Sequence, residues 1–185
     1  ALIALNAAFA RSPRAGARIA GLALAFWLSV SIEGLPMAMA VIGLFALRWL
    51  RDPRQGDWLV HGMAGLAGGS TLFWLASHGF SGVMQQYCDA ISTVHLAVFG
   101  WCAAGCWLAV RAIKTRPWTQ LAALAVIGAG AVAILASVAP QCARGDAFAA
   151  LDPVVRNFWY IRVHEGLPIW DQPIAQAVQL LGLPL

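Results

Sequence analysis

The stretch "GARIAGLALAFWLSVSIEGLPMAMAVIGLFALRWL", Gly16 to Leu50, decides how this chain is built. It is apolar almost throughout and is interrupted once, by Glu33-Gly34-Leu35-Pro36. A helix that crosses a bilayer needs about 20 mostly apolar residues. The stretch is too long for one span and short for two. The arginines choose between them. Arg11, Arg14 and Arg18 precede or open it, Arg48, Arg51 and Arg54 close or follow it, and Arg111, Lys114 and Arg116 form a third cluster. Two short spans joined at Glu33 put all three clusters on one side of a membrane. One kinked span separates the first cluster from the others. Cytoplasmic loops carry the excess of Lys and Arg, so two spans are expected.

Composition sets the class. Of 185 residues, 61% are hydrophobic and 11% are charged, against about 25% charged in a soluble domain. The mean hydropathy is +0.72. These values imply an integral membrane protein with membrane lipid as its surroundings. The formal charge of +4 is then a matter of loop placement, and no nucleic-acid partner is inferred from it. The chain starts without Met and stops within an apolar segment, so it is expected to be part of a longer polytopic protein.

The expected fold is all-α, a polytopic helical bundle forming a single membrane domain. Five spans are read at about 16–32, 36–50, 58–77, 92–113 and 118–139, with a sixth beginning near Pro173. In this topology one side holds nine of the twelve Lys and Arg and only two acids, Asp52 and Asp57. The other side holds Arg144, Arg156 and Arg162 with six acids: Glu33, Asp89, Asp146, Asp152, Glu165 and Asp171. The first side reads as cytoplasmic. The Glu33 turn and loops 78–91 and 140–172 then face the periplasm of a bacterial inner membrane.

The cytoplasmic connections, "RWLRDPRQGDW" and "VRAIKTRPW", read as membrane anchors. The long outer loop carries Asp152-Pro153, a helix-start signal, because Asp accepts from the free amides of a first turn and Pro suits its first position. A short helix lying in the interface is expected after it.

Chemistry is sought on the outer side. An acid at membrane depth is a functional-site candidate, and Glu33 is the leading one, with Asp89 beside it as a candidate catalytic group. Glu33 is also read as a possible cap for the helix starting near Pro36. Seventeen residues from Gly16 to Ile32 rise only about 25 Å, less than the core of about 30 Å, which places the Glu33 turn in a recess. Arg144, Arg156 and Arg162 are candidates for holding a phosphate by charge-assisted bonds. Asp152 reads as a helix cap and Glu165 as the surface partner of Arg162.

Cys88 and Cys142 both fall in outer loops, and an oxidising periplasm makes a disulfide between them the expected state. Cys102 and Cys106 lie one helical turn apart within a span and read as packing residues. No metal site and no cofactor is expected: zinc wants four ligands, and nothing besides the positions of His78 and His95 speaks for haem.

Three pieces carry a resemblance: "SVSIEGLP" (Ser29–Pro36), "CDAIS" (Cys88–Ser92) and "CARGDAFAALDPVVRNFWYIRVHEGLP" (Cys142–Pro168). Their order and apolar spacing resemble a group of bacterial inner-membrane proteins similar to the GT-C superfamily of polytopic glycosyltransferases, over about Gly16 to Gln172. The resemblance implies sugar transfer from a polyprenyl-phosphate carrier at the outer face. It also implies that Glu33 and the Cys88 and Cys142 loops border an outer cavity. The carboxylate typical of that superfamily sits in a first outer loop expected to lie upstream of residue 1, so its role is carried onto no residue here. A transporter or flippase, and a membrane subunit without chemistry, are the alternative expectations.

Overall fold

The computed structural model describes residues 12–79, 86–113, 117–143, 152–155 and 158. All of the regular structure among them is helical. The long helices are α1 (Pro13–Val30), α2 (Leu35–Arg51), α3 (Gly56–His78), α4 (Thr93–Ala112) and α5 (Pro117–Val138). A 3-10 turn, Ile32–Gly34, joins α1 to α2, and another, Pro53–Gln55, joins α2 to α3. A short helix, α6 (Pro140–Ala143), follows α5. The chain divides into two compact units, Ala1–Gly145 and Asp146–Leu185. In the second unit the described residues include one helical turn, Pro153–Val155, with the Val154 amide donating to Asp152 Oδ1 at 2.8 Å. Asp152 is therefore the cap that its sequence implies.

Four segments are long and apolar enough to cross a membrane: Ile32–Arg51, Pro53–His78, Thr93–Ala112 and Pro117–Val138. The first expected span, α1, is not among the four; Arg14 and Arg18 fall within its 18 residues. It is nonetheless an unbroken helix, and the Gly16–Leu50 stretch does turn at Glu33 rather than run through as one kinked helix.

Side-chain contacts give the direction of each helix. Arg14 meets Asp57, Arg18 meets His61, Gly21 meets Gly65, Ala25 meets Gly69 and Phe26 meets Phe73. Both residue numbers rise together, so α1 and α3 run parallel and α2 must return between them. Gly56 at the start of α3 lies against Val110 near the end of α4, so these two are antiparallel. Ile127 of α5 covers Gly105 of α4, while Gly130 lies under Trp101, which makes α4 and α5 antiparallel as well. The helices thus alternate in direction along the chain.

The α1–α3 seam is backbone against backbone. A Cβ placed on Gly65 would stand 2.7 Å from the Arg18 carbonyl oxygen and 3.2 Å from the Gly21 Cα. One on Gly69 would stand 2.8 Å from the Ala25 Cβ. Between apolar helices in lipid there is little hydrophobic gain, so association relies on such close van der Waals contact between small residues. Around this seam Ala17, Ala20, Leu24, Leu28, Phe45 and Trp49 form the buried centre. Of α5, only Gln120 and Ile127 are buried. Gln120, 1% exposed, donates from Nε2 to the Trp49 carbonyl at 3.2 Å and ties the start of α5 to the end of α2.

Candidate functional site

The alternation sorts the bundle into two ends. One end gathers the start of α1, the end of α2, the start of α3 and the end of α4. Its described charged residues are Arg14, Arg18, Arg48, Arg51, Asp52, Arg54, Asp57 and Arg111. Arg14 Nε pairs with Asp57 Oδ2 at 3.3 Å, and both side chains are well exposed. Arg18 Nε lies 3.4 Å from His61 Nδ1. The guanidinium of Arg48 sits 4.6 Å from the centre of the Trp58 ring, and that of Arg111 sits 4.2 Å from Trp107. Asp52 accepts from the Arg54 amide at 3.0 Å and fixes the tight turn into α3. Each contact anchors a helix end, and none assembles a reactive group.

The other end carries the sequence-derived candidates. Glu33 lies in the 3-10 turn between α1 and α2, and its side chain is exposed. It does not cap α2: Gly34 occupies the cap position, with no side-chain bond there. Glu33 instead sits in the turn just before the N-terminal end of α2. Among the described residues it has no hydrogen-bond or ion-pair partner. Gly34 is buried, and a Cβ there would come within 3.0 Å of the Trp27 ring. The indole of α1 thus leaves little room for a side chain after Glu33. Asp89 is exposed in the bend preceding α4.

Cys88 and Cys142 are joined by a disulfide, with Cα atoms 5.2 Å apart across a separation of 54 residues. It ties the segment before α4 to α6, on the far side of the α4–α5 pair. The expected pairing is therefore present, at the same end as the Glu33 turn. Cys102 and Cys106 are free thiols inside α4, and the described residues hold no cluster of His, Cys, Asp or Glu fit for a metal.

A small cleft opens near the Glu33 turn, although Glu33 is not among the residues that line it. Ser29, four residues before Glu33, shares a cleft with Ser77 and His78 at the end of α3. The turn therefore lies level with that end of α3. The cleft is lined by Ala25 and Ser29 of α1, Ser70, Trp74, Ser77 and His78 of α3, and Ala90 and Ile91. Its volume is about 50 Å³, well below the roughly 300–1,000 Å³ of pockets that enclose a small organic ligand. The His78 ring stacks on Trp74 at 5.5 Å and 13°, and its Nδ1 is 2.8 Å from Ser77 Oγ.

The start of α4 is closed by a polar network that the sequence did not signal. The Ser92 amide donates to His95 Nδ1 at 3.2 Å, so the proton of a neutral ring is on Nε2. The Val94 amide donates to Gln86 Oε1 at 3.2 Å, and Gln86 Nε2 donates to Thr93 Oγ1 at 2.6 Å. Ser92 Oγ lies 3.0 Å from the Tyr87 carbonyl oxygen. His95 is thus a buried capping residue whose Nδ1 is engaged by the Ser92 amide. The nearest sequence signal was Ser92-x-x-His95, the spacing of a capping box with His in place of Glu.

Arg144, Arg156 and Arg162, the phosphate-binding candidates, lie outside the described residues, as do Asp146, Glu165, Asp171 and the start of a sixth helix at Pro173. The structure therefore brings together the Glu33 turn, the Asp89 bend, the disulfide and the serine-lined cleft at one end of the bundle. Comparison with protein-family models, with curated proteins and with solved structures finds no match for this chain.

Proposed function

We propose that this chain is a five-span protein of the bacterial inner membrane that works at its periplasmic face. There it transfers sugar from a polyprenyl-phosphate carrier, in the manner of the GT-C glycosyltransferases. The observation that carries the reading is the segregation of the two ends. Six described arginines gather at one end; Glu33, Asp89 and the Cys88–Cys142 disulfide gather at the other. Arginine-rich ends stay in the cytoplasm, and a lasting disulfide belongs to an oxidising compartment. Both arguments support the same orientation.

In this reading Glu33 is the general base. Its carboxylate takes the proton from an acceptor hydroxyl as that oxygen bonds to the anomeric carbon. The bond from that carbon to the carrier phosphate breaks, and the polyprenyl phosphate leaves. Arg144, Arg156 and Arg162 are assigned to hold the phosphate as its charge develops. The serine-lined cleft is too small to enclose a sugar, so the substrate approaches over the Glu33 turn, with its lipid tail in the bilayer.

The test is transfer of labelled sugar from a polyprenyl-phosphate donor by the full chain in proteoliposomes. General-base removal lowers rates by about 10²–10⁴-fold, so Glu33→Gln is expected to lose at least about a hundredfold. The disulfide and helix content of that variant should be unchanged. Undiminished transfer by Glu33→Gln removes Glu33 from the mechanism. Movement of the labelled lipid across the bilayer without transfer replaces the enzyme reading with a flippase. Neither activity leaves a non-catalytic membrane subunit.

A further inference from the structure

The cleft between α1 and α3 contains one group that the fold leaves unsatisfied. Ser70 is 2% exposed, lines the cleft, and its Oγ has no hydrogen-bond partner among the described residues. The other two serines are committed as donors. Ser29 Oγ donates to the Phe26 carbonyl at 2.6 Å. Ser77 Oγ lies 2.9 Å from the Phe73 carbonyl and 3.1 Å from that of Trp74. Ser77 Oγ also lies 2.8 Å from His78 Nδ1, so Ser70 is the cleft hydroxyl that still needs a partner. Ser70 stands eight residues before the end of α3, about 12 Å below it at 1.5 Å per residue.

A buried hydroxyl left unpaired is unfavourable, whereas a polar cavity of more than about 10–15 Å³ with two to four polar partners holds water. The cleft, at about 50 Å³, meets both conditions. We propose that it is a hydrated inlet that opens at the disulfide end and binds water at Ser70. Such a site offers a hydrogen-bonding position for water or for a single hydroxyl group of a larger ligand, below the membrane surface. Ala25, Trp74, Ala90 and Ile91 supply its apolar lining, His78 is its titratable one, and no Asp, Glu, Lys or Arg joins them, so neutral hydroxyl chemistry is favoured over anions. This proposal stands whether or not the chain transfers sugar.

The experiment is thiol labelling of the full chain in membranes with the small hydrophilic reagent ethylammonium methanethiosulfonate. Cys102 and Cys106 are first replaced by alanine; the Cys88–Cys142 disulfide is left in place. Single cysteines are then placed at Ser77 (mouth), Ser70 (floor), Met63 (same face, two turns deeper and buried) and Thr71 (same depth, on an exposed face outside the cleft). Labelling needs access to the thiolate, which forms only in a polar surrounding. Ser70→Cys is expected to react more slowly than Ser77→Cys but at least about tenfold faster than Met63→Cys and Thr71→Cys. Equal reactivity of Ser70→Cys and Met63→Cys overturns the proposal. Thermal unfolding of Ser70→Ala gives a second reading. A dry cleft predicts a raised Tm, because an orphaned hydroxyl is removed; a hydrated one predicts no gain. A raised Tm therefore also overturns it.

Discussion

Substituting alanine for Gly65 and for Gly68 isolates the α1–α3 seam. Both glycines lie in α3, three residues apart, and both are helical. At Gly65 a Cβ would stand 2.7 Å from the Arg18 carbonyl oxygen. At Gly68 it would meet nothing within 4 Å. Each substitution gains the same helix propensity, up to about 1 kcal/mol. That term cancels in the comparison and leaves the clash. The Gly65 methyl falls about 0.7 Å inside ordinary contact at 3.4 Å, and its neighbour is backbone, which cannot swing aside. Relief requires the two helices to part, which loosens Ala17, Ala20 and Leu24 along with the glycine. Overpacking of this kind costs about 1–3 kcal/mol. Gly65→Ala is therefore expected to be less stable than Gly68→Ala by about 1–3 kcal/mol. Reversible unfolding in mixed detergent and SDS micelles, followed by circular dichroism, measures it. If the two variants agree to within about 0.5 kcal/mol, α1 does not pack on α3 as described, and the parallel arrangement that orients Glu33 falls with it.

Two further outcomes follow from the disulfide end. Cys88 and Cys142 close a loop across 54 residues, so chain-entropy arguments give a stabilisation of about 4 kcal/mol; reduction, or Cys88→Ser, should lower the unfolding midpoint in the same assay, and an unchanged midpoint refutes the tether. The capping network at α4 predicts that Ser92→Ala and His95→Ala each lose about 1 kcal/mol. The pair should lose less than the sum of the two, because the side chains also touch each other, Ser92 Oγ lying 3.1 Å from His95 Nδ1; a double mutant with the full sum shows that the two do not act together at that cap.

The positions of the helices were legible in the sequence because the chain marks them redundantly. Pro117-Trp118 opens α5, Arg48 and Arg51 close α2, and Trp58 and His78 bracket α3, whose observed bounds, Gly56 and His78, lie close to the expected 58–77. Hydropathy and charge are properties of one segment and need no knowledge of its neighbour. The disulfide was legible for a related reason: sidedness put two cysteines in one compartment without any geometry. Which helices touch was not legible. Gly62, Gly65 and Gly69 announce a close approach, but their α1 counterparts, Gly21 and Ala25, could be matched only by folding. The serine cleft was hidden for a similar reason. A serine in an apolar helix bonds its own preceding carbonyl, so Ser29, Ser70 and Ser77 look alike in sequence. Ser70, buried between α1 and α3, makes no such bond to the described protein.

Glu33-Gly34-Leu35-Pro36 shows how much of a motif structure can account for. Gly34 lies against the Trp27 ring, where a Cβ would be tight. Pro36 falls in the first two positions of α2, where a missing amide hydrogen leaves nothing unpaired. Leu35 packs against the buried core. Turn geometry, helix initiation and packing are thereby assigned to three of the four residues. None of them needs a carboxylate at the first. Glu33 forms no cap and no ion pair among the described residues, and glutamine or serine would serve the turn as well. A carboxylate that the described residues leave without a bond, at the same end of the bundle as the disulfide, is the residue whose substitution separates a working site from a mere turn.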